Sequence, residues 1–308
     1  MLNNIKNHHI YVLTKWIEDN LHTELDIATV CRKSGYSERH LQRIFKEVAG
    51  ITLADYILRR RMFKCAIAIK TTLAPMETIA SRYQFNSLSS FSKAFTRIFG
   101  VSPKNYRGRA DTNFNMLPIK IEAEQDISAL DVSYVCINEL ELYGLSGSYQ
   151  ISPYEVDRDH ILKRAPLEEC FSQMTKSNFD EVYSLTEYTS NVEAPDIITV
   201  NYSIGIKMDS HIEIPSFHPL PPVFGDFIMV SCVNPTASFF EICESMYWKV
   251  IFRNGLLRRQ GLDVEKITWK PDANGNIETS YSFMVPVVFN EQVHKLLSTT
   301  FEENFHKP

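Results

Sequence analysis

The feature that most constrains the fold is a pattern that occurs twice in the first third of the chain. Each copy has an apolar residue and a small one, then a turn residue, then apolar residues at helical spacing: Val30, Cys31, Gly35, Leu41, Ile44 and Phe45 in the first copy, and Ile79, Ala80, Gln84, Phe91, Ala94 and Phe95 in the second. The small residue lets two helices cross closely, and Gly35 supports the tight turn between them. This is the spacing of a helix-turn-helix motif, whose second helix can enter the major groove of DNA. The alternative is a pair of ordinary helical hairpins in an all-helical core.

The residues around the two copies predict a helical domain. Apolar residues at helical spacing predict a first amphipathic helix: Ile10, Leu13, Ile17 and Leu21. Residues suited to helix starts precede five further helices: Asp26 before about 27–34, Ser37 before the third, Thr52 before a long fourth, Pro75 before the fifth and Asn86-Ser87 before the sixth. Gly35, Gly50 and Gly100 are expected to end the second, third and sixth helices, and residues 102–107 predict a last turn.

The fourth predicted helix gives the two motifs a spacing that suits DNA. It runs from about Thr52 to Thr72 and would be about 30 Å long at about 1.5 Å per residue. Successive major grooves on one face of DNA are about 34 Å apart. A rigid helix of this length could therefore hold two reading helices in adjacent major grooves.

Charge is divided unevenly along the chain. Residues 1–110 carry 18 Lys and Arg against 8 Asp and Glu, a net +10, whereas residues 111–308 carry 14 against 29, a net −15. A basic first third joined to an acidic remainder indicates two tasks on one chain, with nucleic acid as a partner of the basic part. Arg59, Arg60 and Arg61 point three ways at about 100° per residue, so we expect at least one of them to pair with an acidic neighbour.

The composition changes after Arg109. We predict a helical domain over 1–107, a linker over 108–129 and a regulatory domain over 130–308. Short runs of β-branched and aromatic residues predict six strands: Val132–Ile137, Glu139–Leu145, Ile197–Lys207, Phe224–Val233, Val264–Lys270 and Ile277–Val287. Helical patterns fall near 154–175, 236–257 and 290–304, and residues 272–276 predict a hairpin loop. The fold class is therefore multidomain, with an all-α domain followed by an α+β domain.

Several classes of protein are disfavoured by what the sequence lacks. The first residues have no unbroken apolar core of the secretory kind, and no run reaches the roughly 18 apolar residues of a membrane helix, so we expect no membrane partner and a cytoplasmic protein. The six cysteines form no C-x-x-C pair and stand at no metal-ligand spacing with histidine. No nucleotide-binding loop or nucleophile motif occurs. We expect no cofactor, no metal and no enzymatic activity; the alternative, a DNA-targeted repair enzyme, would need a reactive cysteine or a metal cluster.

Two stretches of the basic part resemble a known family. GYSERHLQRIFKEVAG at 35–50 and FSKAFTRIFGVSPKNYR at 91–107 resemble the AraC/XylS transcription regulators, and residues 5–107 are most similar to the group of MarA, SoxS and Rob. GLDVEKITWKPDANGNIETSYSFMVPV at 261–287 resembles the end of a GyrI-like ligand-binding domain. The resemblance implies a regulator that binds double-stranded DNA, with RNA polymerase as a partner and activation as its effect.

The third predicted helix carries the residues best suited to reading bases. Arg can bond bidentately to guanine and Gln to adenine. The resemblance places Arg39, Gln42 and Arg43 where the family reads bases, while His40 either packs or contacts phosphate. The group usually has Trp at the position of Arg39 and a basic residue at that of Glu38, so we expect a different preferred DNA site.

The sixth predicted helix is expected to position the protein more than to specify sequence. Its exposed residues include Ser89, Ser90, Ser92 and Lys93, and small hydroxyl groups favour phosphate contacts or weak base readout. Further candidate phosphate partners are Arg97, Lys104 and Arg107.

The GyrI-like resemblance implies a pocket for a small amphiphilic effector between two βαβ-like halves. Members of that family hold cationic, apolar compounds with buried aromatic residues and a carboxylate. The carboxylate commonly sits four residues before the proline that ends the last strand, which is Ser282 here. Candidate lining residues are therefore Ser282, Glu278 on the same strand face, Glu265, and the aromatic Tyr281, Trp248 and Trp269. A neutral or anionic ligand, or a domain that only docks proteins, remains an alternative.

Overall fold

A computed structural model describes most of the chain as two compact units, one built mainly on the first 110 residues and the other mainly on residues from 127 onward. The described residues are 2–108, 131–152, 156–175, 179–207, 214, 216–233, 242–243, 246–252, 254, 256–271, 277–291 and 293. The predicted linker, 108–129, falls outside them apart from Gly108. Among the described residues, no helix has the length and hydropathy needed to cross a membrane.

The first unit is entirely helical in its described residues, as predicted. Its helices are α1 Leu2–Asp19, α2 Ile27–Ser34, α3 Glu38–Ala49, α4 Leu53–Thr71, α5 Met76–Arg82, α6 Leu88–Phe99 and α7 Pro103–Gly108. The Asp26 side chain accepts from the Thr29 N–H at 2.7 Å, and Thr52 accepts from the Asp55 N–H at 3.1 Å, so both predicted caps are confirmed. Ser37 precedes α3 as predicted, but its side chain makes no capping hydrogen bond.

The long helix α4 runs through the core of this unit and is anchored by arginines. Arg60 is buried, and its Nε and Nη2 atoms donate to the two carboxylate oxygens of Glu18 at 2.7 and 2.6 Å. Arg61 donates to the backbone carbonyls of Leu21 and Thr23 at 2.9 and 2.6 Å. The expectation that one of the three arginines pairs with an acid is confirmed, and only Arg59 of the three is exposed.

In its described residues, the second unit is built on one antiparallel sheet of eight strands. They are β1 Asp131–Leu140, β2 Tyr143–Ile151, β3 Glu181–Ser190, β4 Ile198–Ile206, β5 His218–Pro219, β6 Val223–Val233, β7 Asp263–Pro271 and β8 Ile277–Pro286. The sheet order is β1-β6-β8-β7-β3-β4-β2-β5. Helix α8, Val156–Thr175, lies between β2 and β3 in sequence, and a π-helical segment, Met246–Phe252, lies between β6 and β7.

These elements form two similar halves, one of β2, α8, β3 and β4, the other of β6, the π-helical segment, β7 and β8. In each half the last strand pairs antiparallel with both others, so the two outer strands are parallel to each other. The halves meet where β3 pairs with β7, with Ser184 opposite Glu265. The predicted α+β class is confirmed. In each expected βαβ-like half, a third strand, β4 or β8, lies between the two parallel strands.

Some predicted elements differ from the structure. The predicted strand Glu139–Leu145 is wrong, because β1 ends at Leu140 and β2 starts at Tyr143. Strand β3 and the short β5 were not predicted. The helix predicted near 154–175 is α8. Within 236–257, the described residues 242–243 are α-helical and Met246–Phe252 is π-helical, and 290–304 lies mostly outside the described residues. The predicted loop 272–276 also lies outside, although the strands beside it pair as a hairpin would.

Candidate nucleic-acid interface and ligand site

Helix α3 presents one apolar face to the core and one polar face to solvent. Leu41, Ile44 and Phe45 are buried against α1, α2 and α4. The candidate base-reading residues Arg39, Gln42 and Arg43 lie one or two positions from these buried residues, so they point away from the core. All three are exposed. The structure therefore brings these three predicted residues to one surface.

The exposed side chains of α3 pair with one another along the helix. Arg43 Nη1 lies 2.6 Å from Glu47 Oε1, and Gln42 Nε2 donates to Glu38 Oε1 at 3.2 Å. Exposed pairs one turn apart contribute only about 0.3–0.5 kcal/mol each. Pairs this weak leave the side chains of Arg43 and Gln42 able to exchange their acidic partners for other acceptors.

His40 packs against a neighbouring aromatic residue, which is one of the two roles expected for it. It is half-buried, its ring centroid lies 5.0 Å from that of Tyr36, and its Nδ1 atom lies 3.3 Å from Arg43 Nη2. The ring therefore packs against the turn of the first motif and also contacts Arg43, a candidate base-reading residue.

Helix α6 has the same frame with a different surface. Phe91 and Phe95 are buried, while Ser89, Ser90 and Lys93 are exposed. The Ser90 hydroxyl donates to the Ser87 carbonyl at 2.8 Å, so it takes part in the helix cap. The half-buried Ser92 carbonyl accepts from the Thr96 hydroxyl at 2.8 Å. The exposed polar side chains near the start of α6 are therefore small hydroxyl groups and one lysine.

The three further candidates for phosphate contact do not behave alike. Arg97 and Lys104 are exposed, as phosphate contacts require. Arg107 is half-buried, and its Nε and Nη2 atoms donate to the carbonyls of Ile69 and Ala74 at 3.2 and 2.6 Å. The prediction for Arg107 is corrected here, because its guanidinium fastens the C-terminal end of α4 within the fold.

Gln84 was part of the repeat, but its contact was not anticipated. It has φ 64°, where the first motif has Gly35 at φ 73°. Its Nε2 atom donates to the His22 carbonyl at 2.8 Å, across 62 residues of sequence. This bond joins the turn of the second motif to the segment before the first motif. In the sequence, the one sign of this contact is a polar residue at a turn position that favours glycine.

In the second unit, the candidate effector residues divide between two faces of the sheet. Glu265 and Trp269 alternate onto one face of β7, and Tyr281 opposite Ile267 shares that face. Ser282 lies opposite Lys266, and Glu278 lies opposite Lys270, so both belong to the other face. Glu278 and Ser282 do share a strand face, but the structure does not bring them to Glu265. The Trp248 side chain lies outside the described part of the chain.

Among the candidate effector residues, Glu265 lies in a buried cluster of polar side chains. It is buried, and both of its oxygens accept from the guanidinium of Arg164 at 3.0 and 2.7 Å. Burial raises the pKa of Glu265, and the attraction of Arg164 opposes that rise. Burial has the largest single effect on the pKa of Arg164 and lowers it, but the charges of Glu265 and Tyr202 and the hydrogen bonds to both together raise the pKa above its usual value. A buried carboxylate of this kind could hold a cation, and the cation it holds is part of the same chain.

The helical unit resembles domains of known proteins. The family model described as a helix-turn-helix domain matches residues 30–109. A putative helix-turn-helix-type transcriptional regulator of Escherichia coli, YkgA, is 30% identical over 63% of this chain and 80% of its own length. The chain belongs to the AraC-type helix-turn-helix transcription regulators.

Two further relatives extend this assignment. The helix-turn-helix-type transcriptional activator AarP of Providencia stuartii is 42% identical over 33% of this chain and 75% of its own length. The transcriptional regulator Rob of Salmonella typhimurium is 26% identical over 88% of this chain and 95% of its own length. The match to Rob spans both units, which confirms the predicted resemblance of the whole chain to a Rob-like regulator.

Proposed function

We propose that this AraC-type regulator is a sequence-specific activator that reads two adjacent major grooves of DNA with α3 and α6. The observation that carries the proposal is the exposed row of Arg39, Gln42 and Arg43 on a helix seated by its buried face. The net charge of +10 over residues 1–110 supports binding to phosphate.

The two helices have unequal roles in this proposal. Helix α3 specifies the sequence, since bidentate Arg and Gln contacts discriminate bases by about 1–3 kcal/mol each. Helix α6 positions the protein through Ser89, Ser90, Ser92 and Lys93, with Arg97 and Lys104 on nearby phosphates. Contacts to phosphate fix register and orientation but carry no sequence information.

The second unit regulates the first and does not contact DNA. Its support is the net charge of −15 over residues 111–308, which would be repelled by phosphate. A small amphiphilic effector and RNA polymerase are the proposed partners besides double-stranded DNA. An effector can alter activity only if it binds two states of the protein with different affinity.

The proposal is tested by selecting duplexes from a random pool with the full chain and titrating the selected site by fluorescence anisotropy. We expect one preferred sequence and binding that weakens steeply with salt, because each neutralised phosphate adds about −0.9 to the slope of log K against log salt. The matched variant Arg43→Lys keeps the charge without the planar fork, so it should keep the salt slope and lose base preference. No enrichment over the starting pool would refute sequence-specific binding.

Activation is tested separately, by transcription from the selected site with purified RNA polymerase. We expect more transcript with the full chain and no increase with Arg43→Ala. Repression at a site upstream of the promoter would contradict the proposed activator role while leaving DNA binding intact.

A further inference from the structure

Gln84 occupies a turn position that normally holds glycine. It is the one residue other than glycine with a positive φ, 64°, in the part of the chain that the structure describes. The Gln84 N–H donates to the Ser81 carbonyl at 3.1 Å, and the Phe85 N–H donates to the Ala80 carbonyl at 3.0 Å. This pair of bonds is the Schellman arrangement, which ends helices and usually has glycine in the left-handed position. A glutamine in this conformation is strained, and strain of this kind is kept where the side chain has a task.

The Gln84 side chain reaches from the second helix-turn-helix motif to the segment that precedes the first. Its Nε2 atom donates to the His22 carbonyl at 2.8 Å. Both residues are exposed, so close packing does not force them together. The carbonyls on either side of His22 are also bound from a distance, because Arg61 of α4 donates to those of Leu21 and Thr23 at 2.9 and 2.6 Å. Gln84 is therefore attached to a segment that is itself fixed on the central helix.

The two motifs are otherwise joined mainly through α4. In the described residues, α1, α2 and α3 pack on one another, while α6 packs on both α5 and α7. The two groups of helices meet through α4, which packs against α3 in the first group and against all three helices of the second. Two rigid groups joined through one helix can rotate against each other, and a second point of attachment restrains that rotation. The bond from Gln84 to His22 is such an attachment, because it links the groups without passing through α4.

We propose that Gln84 and Arg61 form a clamp on the segment 21–23 and act as positioning residues for DNA binding. The clamp restrains the second motif relative to the first, so that α6 reaches the DNA backbone while α3 lies in its groove. This inference rests on the proposed reading of two adjacent grooves and identifies what keeps the two helices in register. It also accounts for the strain at Gln84, since glycine would relieve the backbone but could not donate to the His22 carbonyl.

The clamp acts by lowering the cost of docking the second motif. A motif that is already held in place loses little freedom when α6 meets DNA, whereas a motif that rotates must be ordered at that moment. The bond can favour the docked orientation only by as much as its own free energy. A neutral hydrogen bond contributes a net factor of about 2–10 to an equilibrium, so this is the range of affinity expected from the clamp.

The test uses the full chain and two duplexes cut from the selected site. The short duplex holds only the segment read by α3, and the long duplex continues beneath α6, so the ratio of their association constants measures what the second motif adds. Gln84→Met keeps the length and neutral charge of the side chain but removes the donor. By fluorescence anisotropy, we expect this variant to bind the short duplex as wild type does and to gain about 2–10-fold less from the longer one.

Gln84→Gly separates the lost bond from the backbone strain. Glycine relieves the positive φ and removes the same donor, so the stability of this variant in urea should stay close to that of wild type. We expect it to lose as much of the gain on the long duplex as Gln84→Met does. A glycine variant with the wild-type gain would overturn the clamp, because the missing donor would then have no effect on DNA binding.

Arg61 supplies the second arm of the test. Arg61→Lys keeps the positive charge, but an ammonium lacks the planar fork that holds two carbonyls in fixed positions. We expect it to reduce the gain on the long duplex, and we expect the double variant with Gln84→Met to lose little more, because both residues act through one segment. An unchanged gain in Arg61→Lys would contradict the clamp. Losses that simply add would contradict it too, since they would assign Gln84 to a direct contact with DNA.

The outcomes also separate this inference from the proposed function. If wild type gains nothing from the longer duplex, reading by both helices is wrong and the clamp falls with it. If wild type gains and Gln84→Met gains as much, binding through both helices stands and the clamp alone is refuted. A loss that is equal on the two duplexes would also refute the clamp, since positioning affects only the segment beneath α6.

Discussion

Helices α3 and α6 share one frame and carry different surfaces. Each has 12 residues, each buries aromatic or aliphatic residues on one side, and each ends at a glycine with φ 73°. On the solvent side, α3 presents Arg39, Gln42 and Arg43, whereas the start of α6 presents Ser89, Ser90 and Lys93. The buried half of the repeat fixes how a helix is seated, and the exposed half is free to differ, so the two helices can divide specification and positioning between them.

The turns of the two motifs differ in a similar way. Gly35 takes φ 73° without strain, whereas Gln84 takes φ 64° despite its side chain. The bond from Gln84 to the His22 carbonyl offsets part of the strain. The turn of the second motif is therefore linked to the segment before the first motif by the Gln84 side chain, and a glycine at this position could not make that link.

The largest expected difference between the two helices lies in Arg43. Arg43→Ala should weaken binding to the selected duplex by about 1–3 kcal/mol and relax preference at one base pair. Anisotropy titrations against the selected site and its single-base variants measure both effects. A loss that is the same for every duplex would assign Arg43 to phosphate and remove the proposed distinction.

Substitutions of Arg107 on α7 and Arg97 on α6 should affect stability and DNA binding differently. Because its guanidinium donates to two carbonyls of the fold, Arg107→Ala should lower the free energy of unfolding by about 1–3 kcal/mol. The salt slope of DNA binding should stay unchanged. Arg97→Ala is the control, since loss of an exposed phosphate contact should leave stability intact and reduce the slope by about 1.

The stability of the two turns should respond to substitution by different amounts. Gly35→Ala should lower the free energy of unfolding by about 1 kcal/mol, because no atom crowds the new Cβ but its φ stays positive. Gln84→Gly should change it by less than about 0.5 kcal/mol, since relief of strain offsets the lost hydrogen bond. Urea denaturation of both variants measures the two values, and equal losses would contradict the different strain at the two turns.

The smallest effect is expected at the start of α6. Ser89→Ala should weaken DNA binding by well below 1 kcal/mol, since a neutral hydrogen bond at a wet interface contributes little. The loss should be uniform across single-base variants of the site. A loss as large as that of Arg43→Ala in the same titration would reverse the proposed ranking.

The sequence predicted the helical unit in detail because its signals are local. Asp26, Thr52 and the three glycines act within one turn of the residues they cap, so their effect is visible without the rest of the fold. Strand β3 was missed because its serines, threonines and glutamates give no apolar run, and its burial comes from β4 and β7 on either side.

The surroundings of the candidate effector residues were only partly predictable for the same physical reason. Glu265 was a candidate from the sequence, but its partner Arg164 lies 101 residues away and nothing local links them. The two-residue repeat of a strand placed Glu278 and Ser282 on one face correctly, yet only the packing of α8 on the sheet shows that Glu265 and Arg164 meet on the other face.

The unequal roles of α3 and α6 are tested most directly by a base-substitution scan across the whole selected site with the wild-type full chain. Binding is measured for every single-base-pair change in both major-groove segments at one salt concentration. Changes in one segment should cost about 1–3 kcal/mol each, and those in the other should cost well under 1 kcal/mol. Comparable costs in both segments would contradict the division between a specifying and a positioning helix.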